Sequence, residues 1–224
     1  TSLPFSMAMA TGFIYFFYQR ARFEELRREA TEAQLLLLQS QLEPHMLFNT
    51  LANLRALITT DPERAVQLLD HLNEFLRATL GASRVGTHAV GREIELLRDY
   101  LEIMAVRMGP RLRYRIDVDE GVSKLPIPAL LLQPLVENGI RHGLEPKPEG
   151  GELCIAALRN GNDLIFEVRD TGIGVPPASA SSNGFGLTHV RERLQSRYGT
   201  RANFSLLPRD GSGTIARVVL PIVE

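Results

Sequence analysis

Cysteine is nearly absent. Cys154 is the only one in 224 residues, which excludes a disulfide framework and a thiolate zinc site. Lysine is almost as scarce: Lys124 and Lys147 are the only two. Neither stands in GxxxxGK[ST], so a P-loop nucleotide enzyme is excluded. Neither sign of charge is in excess, because Lys+Arg 25 against Asp+Glu 26 leaves a net charge of −1. That offers no basic face for direct nucleic-acid binding. What remains is ordinary globular material, 44% hydrophobic and 23% charged, long enough for one large domain or two small ones.

Charge is missing altogether from Thr1 to Gln19, and Arg20, Arg22, Arg27 and Arg28 follow at once. A bilayer-spanning helix needs about 20 mostly apolar residues, so residues 1–19 are just long enough. Phe13, Tyr15, Phe16, Phe17 and Tyr18 crowd the charged end, where an interfacial aromatic belt would sit with the arginines inside the cell. The run is therefore read as the end of a membrane region, in the cytoplasmic membrane, with the chain after about residue 20 in the cytoplasm. A buried core helix or a hydrophobic loop is the other reading.

Residues 20–85 read as helical. Phe23, Leu26, Ala30, Ala33 and Leu37 recur at alternating three- and four-residue steps, the seam of a short coiled coil. Leu35-Leu36-Leu37-Leu38 is apolar all round, as in a bundle. One long helix should run to about Thr59, broken by little except Pro44. Asp61-Pro62-Glu63 then starts another, with an N-cap side chain and proline in the first turn. Val66, Leu69, Leu72, Leu76 and Leu80 give it a stripe. The short connection predicts an antiparallel hairpin, and the exposed leucine predicts a four-helix bundle made by two chains, hence a homodimer.

The period changes beyond Gly81–Gly91. Residues 90–224 read as a helix over 92–108, a strand at Leu112–Val118, a helix over 128–144, a hairpin about Asn160-Gly161-Asn162, a helix over 187–198 and two final strands. The fold class is therefore α+β: a membrane helix and helical hairpin, then a two-layer α/β sandwich with a mixed sheet.

Four segments carry chemistry. On the helix over 129–144, Leu132, Val136, Ile140 and Leu144 form an apolar stripe. Glu137, Asn138, Arg141 and His142 fall in an arc of about 140° on the other side, a plausible seat for Mg2+ and polyphosphate. Asp170-Thr171-Gly172-Ile173-Gly174 ends a strand; its carboxylate can accept from an adenine amino group, with Gly172 and Gly174 admitting backbone close by. Asn183-Gly184-Phe185-Gly186-Leu187 feeds a helix N-terminus, a favourable place for phosphate. His45 lies in Leu42-Glu43-Pro44-His45-Met46-Leu47-Phe48-Asn49, on one face with Asn49, Ala52 and Ala56. A neutral imidazole there is available as a nucleophile, and Asn49, one turn on, can hold its ring. Each segment alone also fits an ordinary surface, turn or helix start.

Taken together and in order, they resemble a known family. LEPHMLFN is similar to the acceptor motif of LytS/YehU-like sensor histidine kinases. LVENGIRHG, DTGIG and GFGLTHVRERL resemble the three nucleotide boxes of the gyrase, chaperone and histidine-kinase (GHKL) ATP-binding fold. GSGTIARVVLP resembles its last strand pair. Departures are Glu43 for the usual Asn, Met46 for Phe, and His189 for Asn.

The resemblance implies an ATP- and Mg2+-dependent kinase that phosphorylates His45. It implies further that the phosphoryl group passes to an aspartate of a response regulator, a LytTR-type DNA-binding protein being one candidate. It gives Asn138 to Mg2+, with Glu137 nearby as a base or as an outer partner that does not itself ligate the metal, and Arg141 and His142 to phosphates. Asp170 goes to adenine with Gly172, Gly174 and Thr214 around it, and Gly184, Gly186 and Leu187 go to a lid over the triphosphate. Two rival readings are a catalytically inactive ATP-binding or ATP-hydrolysing module, and a membrane-anchored coiled-coil scaffold.

Overall fold

The computed structural model describes Tyr15, Phe16, Arg20 and residues 44–82, 86–174 and 185–222, with only the backbone of residues 44, 45, 80, 82, 185 and 186. The coiled-coil seam from Phe23 to Leu37, most of the apolar run, and Gly184 lie outside the described residues. By compactness the chain divides into Thr1–Asn49 and Thr50–Glu224. In the first unit Tyr15, Phe16 and Arg20 are helical and exposed. Among the described residues, no helix is long and apolar enough to cross a membrane.

Helix α1 (Pro44–Thr60) is joined through the single residue Asp61 to α2 (Pro62–Ala82). Asp61 caps α2 as its sequence predicts: its Oδ1 accepts the Arg64 N–H at 3.2 Å and its carbonyl accepts that of Ala65 at 3.0 Å. The stripe that α2 buries shares Leu72 with the expected one but is otherwise rotated from it. Ala65, Leu68, Leu72, Phe75 and Thr79 are buried, while Val66 and Leu69 stand exposed. The helix has two apolar faces, and the inner one is spent on α3 (Val90–Met108). There the Phe75 and Tyr100 rings lie 5.5 Å apart and His71 Nδ1 is 2.9 Å from Asp99 Oδ1.

The sheet has five strands: β2 (Leu112–Val118), β4 (Gly151–Asn160), β5 (Asp163–Asp170), β6 (Asn203–Pro208) and β7 (Thr214–Pro221), in the order β2-β4-β5-β7-β6. β2 and β4 are parallel and the other pairs antiparallel, so the sheet is mixed, as expected. The β4–β5 turn places Gly161 at φ 61°, a left-handed conformation suited to glycine. A separate two-stranded pair, β1 (Thr87–Ala89) with β3 (Pro126–Pro128), has no sequence signal of its own.

One sheet face is apolar and buried in register. Leu153, Ile155 and Ala157 stand opposite Asp170, Val168 and Phe166, and Val168 and Phe166 opposite Ala216 and Val218. Helices α3, α4 (Gln133–Asn138) and α5 (Phe185–Tyr198) belong to this side. Arg191 lies 5.2 Å over the Phe204 ring, and Tyr114 donates to Glu102 Oε1 at 2.5 Å. Burial first, then that bond, pushes the Tyr114 hydroxyl up to about 12.

The other sheet face carries a charged clamp. Glu167, 4% exposed, accepts from Arg169 Nε at 2.8 Å and Arg217 Nε at 2.5 Å. Burial alone would raise its pKa; the two arginine bonds and charges together outweigh it and hold the carboxyl below its ordinary 4.5. The clamp's contribution to stability is therefore complete above 4.5 and is lost as pH falls through the lowered value. Glu167→Ala should cost about 1–3 kcal/mol near neutral pH, with the deficit shrinking in acid. Equal denaturant midpoints for parent and variant at neutral pH would argue against this.

Candidate functional site

The segment expected to be one α-helix from Pro128 to Leu144 is built in three parts. After β3 the chain turns at Leu130, φ 56°, then forms α4, then widens into a π-helix over Gly139–Leu144. The widened turn is tied into its surroundings. The Gly143 carbonyl accepts the Ile173 N–H at 3.1 Å, and the Glu145 N–H reaches back five residues to Ile140 at 2.8 Å. Such wide turns cost helical regularity and recur at functional sites.

Leu132, Val136, Ile140 and Leu144 are all buried, as the stripe predicts. Glu137 and Asn138 are half-buried, and Arg141 and His142 exposed, so the polar side of the segment remains open. The 140° arc assumed unbroken α-helical geometry. Past Gly139 that assumption does not hold, and Arg141 and His142 are displaced from it.

Asp170 ends β5 against this segment and is 3% exposed. Its Oδ1 accepts the Gly172 N–H at 2.8 Å, and the Thr214 N–H and hydroxyl also donate to it. Burial raises its pKa above the ordinary 3.8, against the lowering effects of the Gly172 and Thr214 bonds and the Arg209 charge. A carboxylate has about four acceptor positions, so capacity remains for a ligand donor.

Four glycines make this packing possible. A Cβ on Gly143 would fall 2.7 Å from Asp170 Oδ1, and one on Gly139 2.8 Å from Leu153 Cδ1. A Cβ on Gly172 would fall 2.2 Å from the Gly143 carbonyl carbon, and one on Gly213 2.0 Å from the Asp170 carbonyl oxygen. Gly174, at φ 81°, completes the turn. The turn is further fixed by Lys147 Nζ on the Thr171 carbonyl at 2.8 Å, Ser212 Oγ on the Gly172 carbonyl at 2.5 Å, and the Thr171 hydroxyl accepting the Glu152 N–H at 2.8 Å.

Asp170, Gly172, Gly174 and Thr214 thus come together as expected, beside the segment that bears Glu137 and Asn138. Gly186 lies in the first turn of α5, and Leu187 follows it with its side chain buried. His45 and Asn49 lie in the other unit, in the first two turns of α1. Gly139, Gly143, Gly213, Lys147 and Ser212 were missed by sequence reasoning. The available signal was glycine at 139 and 143, one helical turn apart on the segment's buried side.

Two family profiles match the chain. "Histidine kinase" covers residues 33–112, and "Histidine kinase-, DNA gyrase B-, and HSP90-like ATPase" covers 126–224. Among curated relatives, the sensor histidine kinase YpdA of Escherichia coli is 36% identical over 80% of this chain and 33% of its own length. The sensor histidine kinase BtsS of Escherichia coli is 34% identical over 89% and 35%. The sensor protein LytS of Oceanobacillus iheyensis is 31% identical over 88% and 36%. The chain spans about a third of the length of these relatives.

The fold agrees with solved structures. The histidine kinase domain of the Erythrobacter litoralis EL346 blue-light activated histidine kinase superposes with TM-score 0.50 at 18% identity, over 87% of this chain and 94% of that one. The catalytic domain of the histidine kinase ThkA gives 0.51 at 14%, over 62% and 97%. Motif order, sheet topology and these matches converge: the chain belongs to the LytS/YehU family of sensor histidine kinases and carries that family's ATP-binding domain.

Proposed function

We propose that this chain uses Mg-ATP to phosphorylate His45 and then passes the phosphoryl group to an aspartate of a response regulator. The observation that carries the reading is the buried carboxylate of Asp170. It is costly to hold there, and glycines on three elements are what let it sit there. A specific donor such as an adenine amino group gives that cost a use.

The donor set fits the nucleotide and its metal. Mg2+ held largely through phosphate takes one or two protein oxygens, and Asn138 and Glu137 offer such oxygens on the open side of the segment. Bound there, Mg2+ supplies neutralisation of phosphate charge. Arg141 and His142 reach outward toward phosphate, and Asp170 with Thr214 orients the base. Gly172 and Gly174 shape the turn, while Gly184, Gly186 and Leu187 serve the lid. In the transfer, the bond from the γ-phosphorus to the ADP oxygen breaks as one to an imidazole nitrogen of His45 forms; Asn49 steadies the ring. In the second step that P–N bond breaks and an acyl phosphate forms on the regulator, of LytTR type among the candidates. Positioning and charge neutralisation suffice for such chemistry.

Residues 20–85 are assigned to the phosphotransfer hairpin and 90–224 to ATP binding. Phe48, Leu51 and Ile58 on α1, with Val66 and Leu69 on α2, are exposed in the single chain. That much apolar surface supports a homodimer closing a four-helix bundle. The uncharged run of residues 1–19 supports a membrane anchor.

The test is incubation with γ-labelled ATP, followed by addition of a receiver protein. Acid-labile label on the chain that chases to the receiver is expected. Release of free phosphate without labelled protein would leave only an ATP hydrolase. A pH dependence follows as well. With its pKa raised, Asp170 favours folding fully below 3.8, and that contribution is lost as pH rises through the raised value. Nucleotide draws on the ionised form, so calorimetric Mg-ATP affinity should fall as pH is lowered through that same raised value. A flat profile there would detach adenine from Asp170.

A further inference from the structure

The most buried carboxylate outside the site is Glu93, in the first turn of α3 and 1% exposed. Nothing in the proposed transfer uses it. Its Oε1 accepts the Leu132 N–H at 2.8 Å and its Oε2 the Leu130 N–H at 2.8 Å. His88, on β1, brings Nε2 to 2.5 Å from Oε2. Those two backbone donors belong to the three residues just ahead of α4, and Leu130 is the only non-glycine residue at positive φ among the described residues. For a leucine such a backbone is strained and persists only where the surroundings impose it. Here the imposing group is one carboxylate, gripping both sides of the strained residue.

We propose that Glu93 is a positioning residue for the nucleotide segment: by holding Leu130 and Leu132 it fixes where α4 begins and so where Asn138, at its far end, presents its amide. This rests on the reading of Asn138 as the metal residue and Asp170 as the adenine residue. At its start α4 has no side-chain cap from Leu132 and no N–H at Pro134, so beyond the burial of Leu131, Leu132 and Leu135 the Glu93 carboxylate is the polar hold on this entry. Asp170 takes its hydrogen bonds from Gly172 and Thr214, not from α4, and meets the segment only beyond Asn138, where Gly139 and Gly143 pack on it. A fault in Glu93 therefore falls first on the metal-phosphate end, at Asn138, and reaches the base end less.

The test uses Glu93→Gln and Asp170→Asn in the whole chain, at a temperature well below each melting point. Calorimetry is run with Mg-ATP and with metal-free adenosine. The carboxamide turns one acceptor into a donor, so one of the two N–H groups loses its partner. Mg-ATP should bind about tenfold more weakly to Glu93→Gln while adenosine binds as to the parent, and amide exchange at Leu130 or Leu132 should accelerate. Equal losses for both ligands would mark Glu93 as a general stabiliser and overturn the proposal, as would parental Mg-ATP affinity. If Glu93→Gln does not fold, His88→Ala replaces it, with about a threefold loss confined to Mg-ATP; no loss overturns the proposal equally. Asp170→Asn separates the two levels, because it should weaken both ligands. If it binds both as the parent does, the site assignment itself fails.

Discussion

A His45→Gln chain is expected to bind Mg-ATP as the parent does and to carry no acid-labile phosphate, a loss of at least about a thousandfold. Glutamine keeps much of the length and polarity of histidine but has no nucleophilic nitrogen, because its amide lone pair is delocalised into the carbonyl. His45 lies in the first turn of α1, in the unit Thr1–Asn49, whereas Asp170 and Asn138 lie in Thr50–Glu224. The substitution should therefore leave nucleotide affinity and the melting temperature of the ATP-binding unit untouched. Residual label on His45→Gln would mean another acceptor. Lost affinity would mean that the histidine is part of the nucleotide pocket instead.

Gly172→Ala should disturb the fold and the site together. Its Cβ would fall 2.2 Å from the Gly143 carbonyl carbon and 2.3 Å from its oxygen, backbone atoms that cannot rotate aside. The π-helix and the end of β5 would have to part, opening the turn that holds Asp170. Overpacking of this kind costs about 1–3 kcal/mol, a drop of several degrees in melting temperature for a domain of this size. Mg-ATP affinity should fall by at least about tenfold, because a carboxylate displaced by an ångström is out of hydrogen-bond reach. Gly81→Ala is the matched control, with open space around its Cβ; in a helix it should be neutral or stabilising by about 0.5 kcal/mol. Similar melting and binding for the two alanine variants would sink the claim that close approach of Gly172 to Gly143 holds the site.

Much of this fold was legible because periodicity and turn chemistry are local. The β4–β5 hairpin turns at Gly161 where the glycine requires it, and Leu132, Val136, Ile140 and Leu144 are buried where a helical stripe puts them. What escaped was set by neighbours distant in sequence. At the end of the π-helix the Gly143 carbonyl is taken by Ile173, a contact that no window around Gly143 contains. The Val66, Leu69, Leu72, Leu76 and Leu80 stripe of α2 is legible by its period, but a helix with apolar residues on two faces does not say which face meets α3. Glu93 reads as an ordinary surface acid in a first helical turn; only the fold shows it buried against Leu130 and Leu132. The site was legible to the extent that its residues are chemically distinctive. Asp170, Thr214 and the glycines of DTGIG came together, while Lys147 and Ser212, which act through backbone carbonyls, leave no mark in a motif.

The two apolar faces of α2 have a mechanical consequence. Turning α2 about its own axis to improve any packing on the Val66–Leu69 side would drag Leu68, Leu72 and Phe75 out of their seats against α3. At about 25 cal/mol for each Å2 uncovered, three such side chains resist with several kcal/mol. Torque applied along α2 therefore does not slip; it is geared into α3.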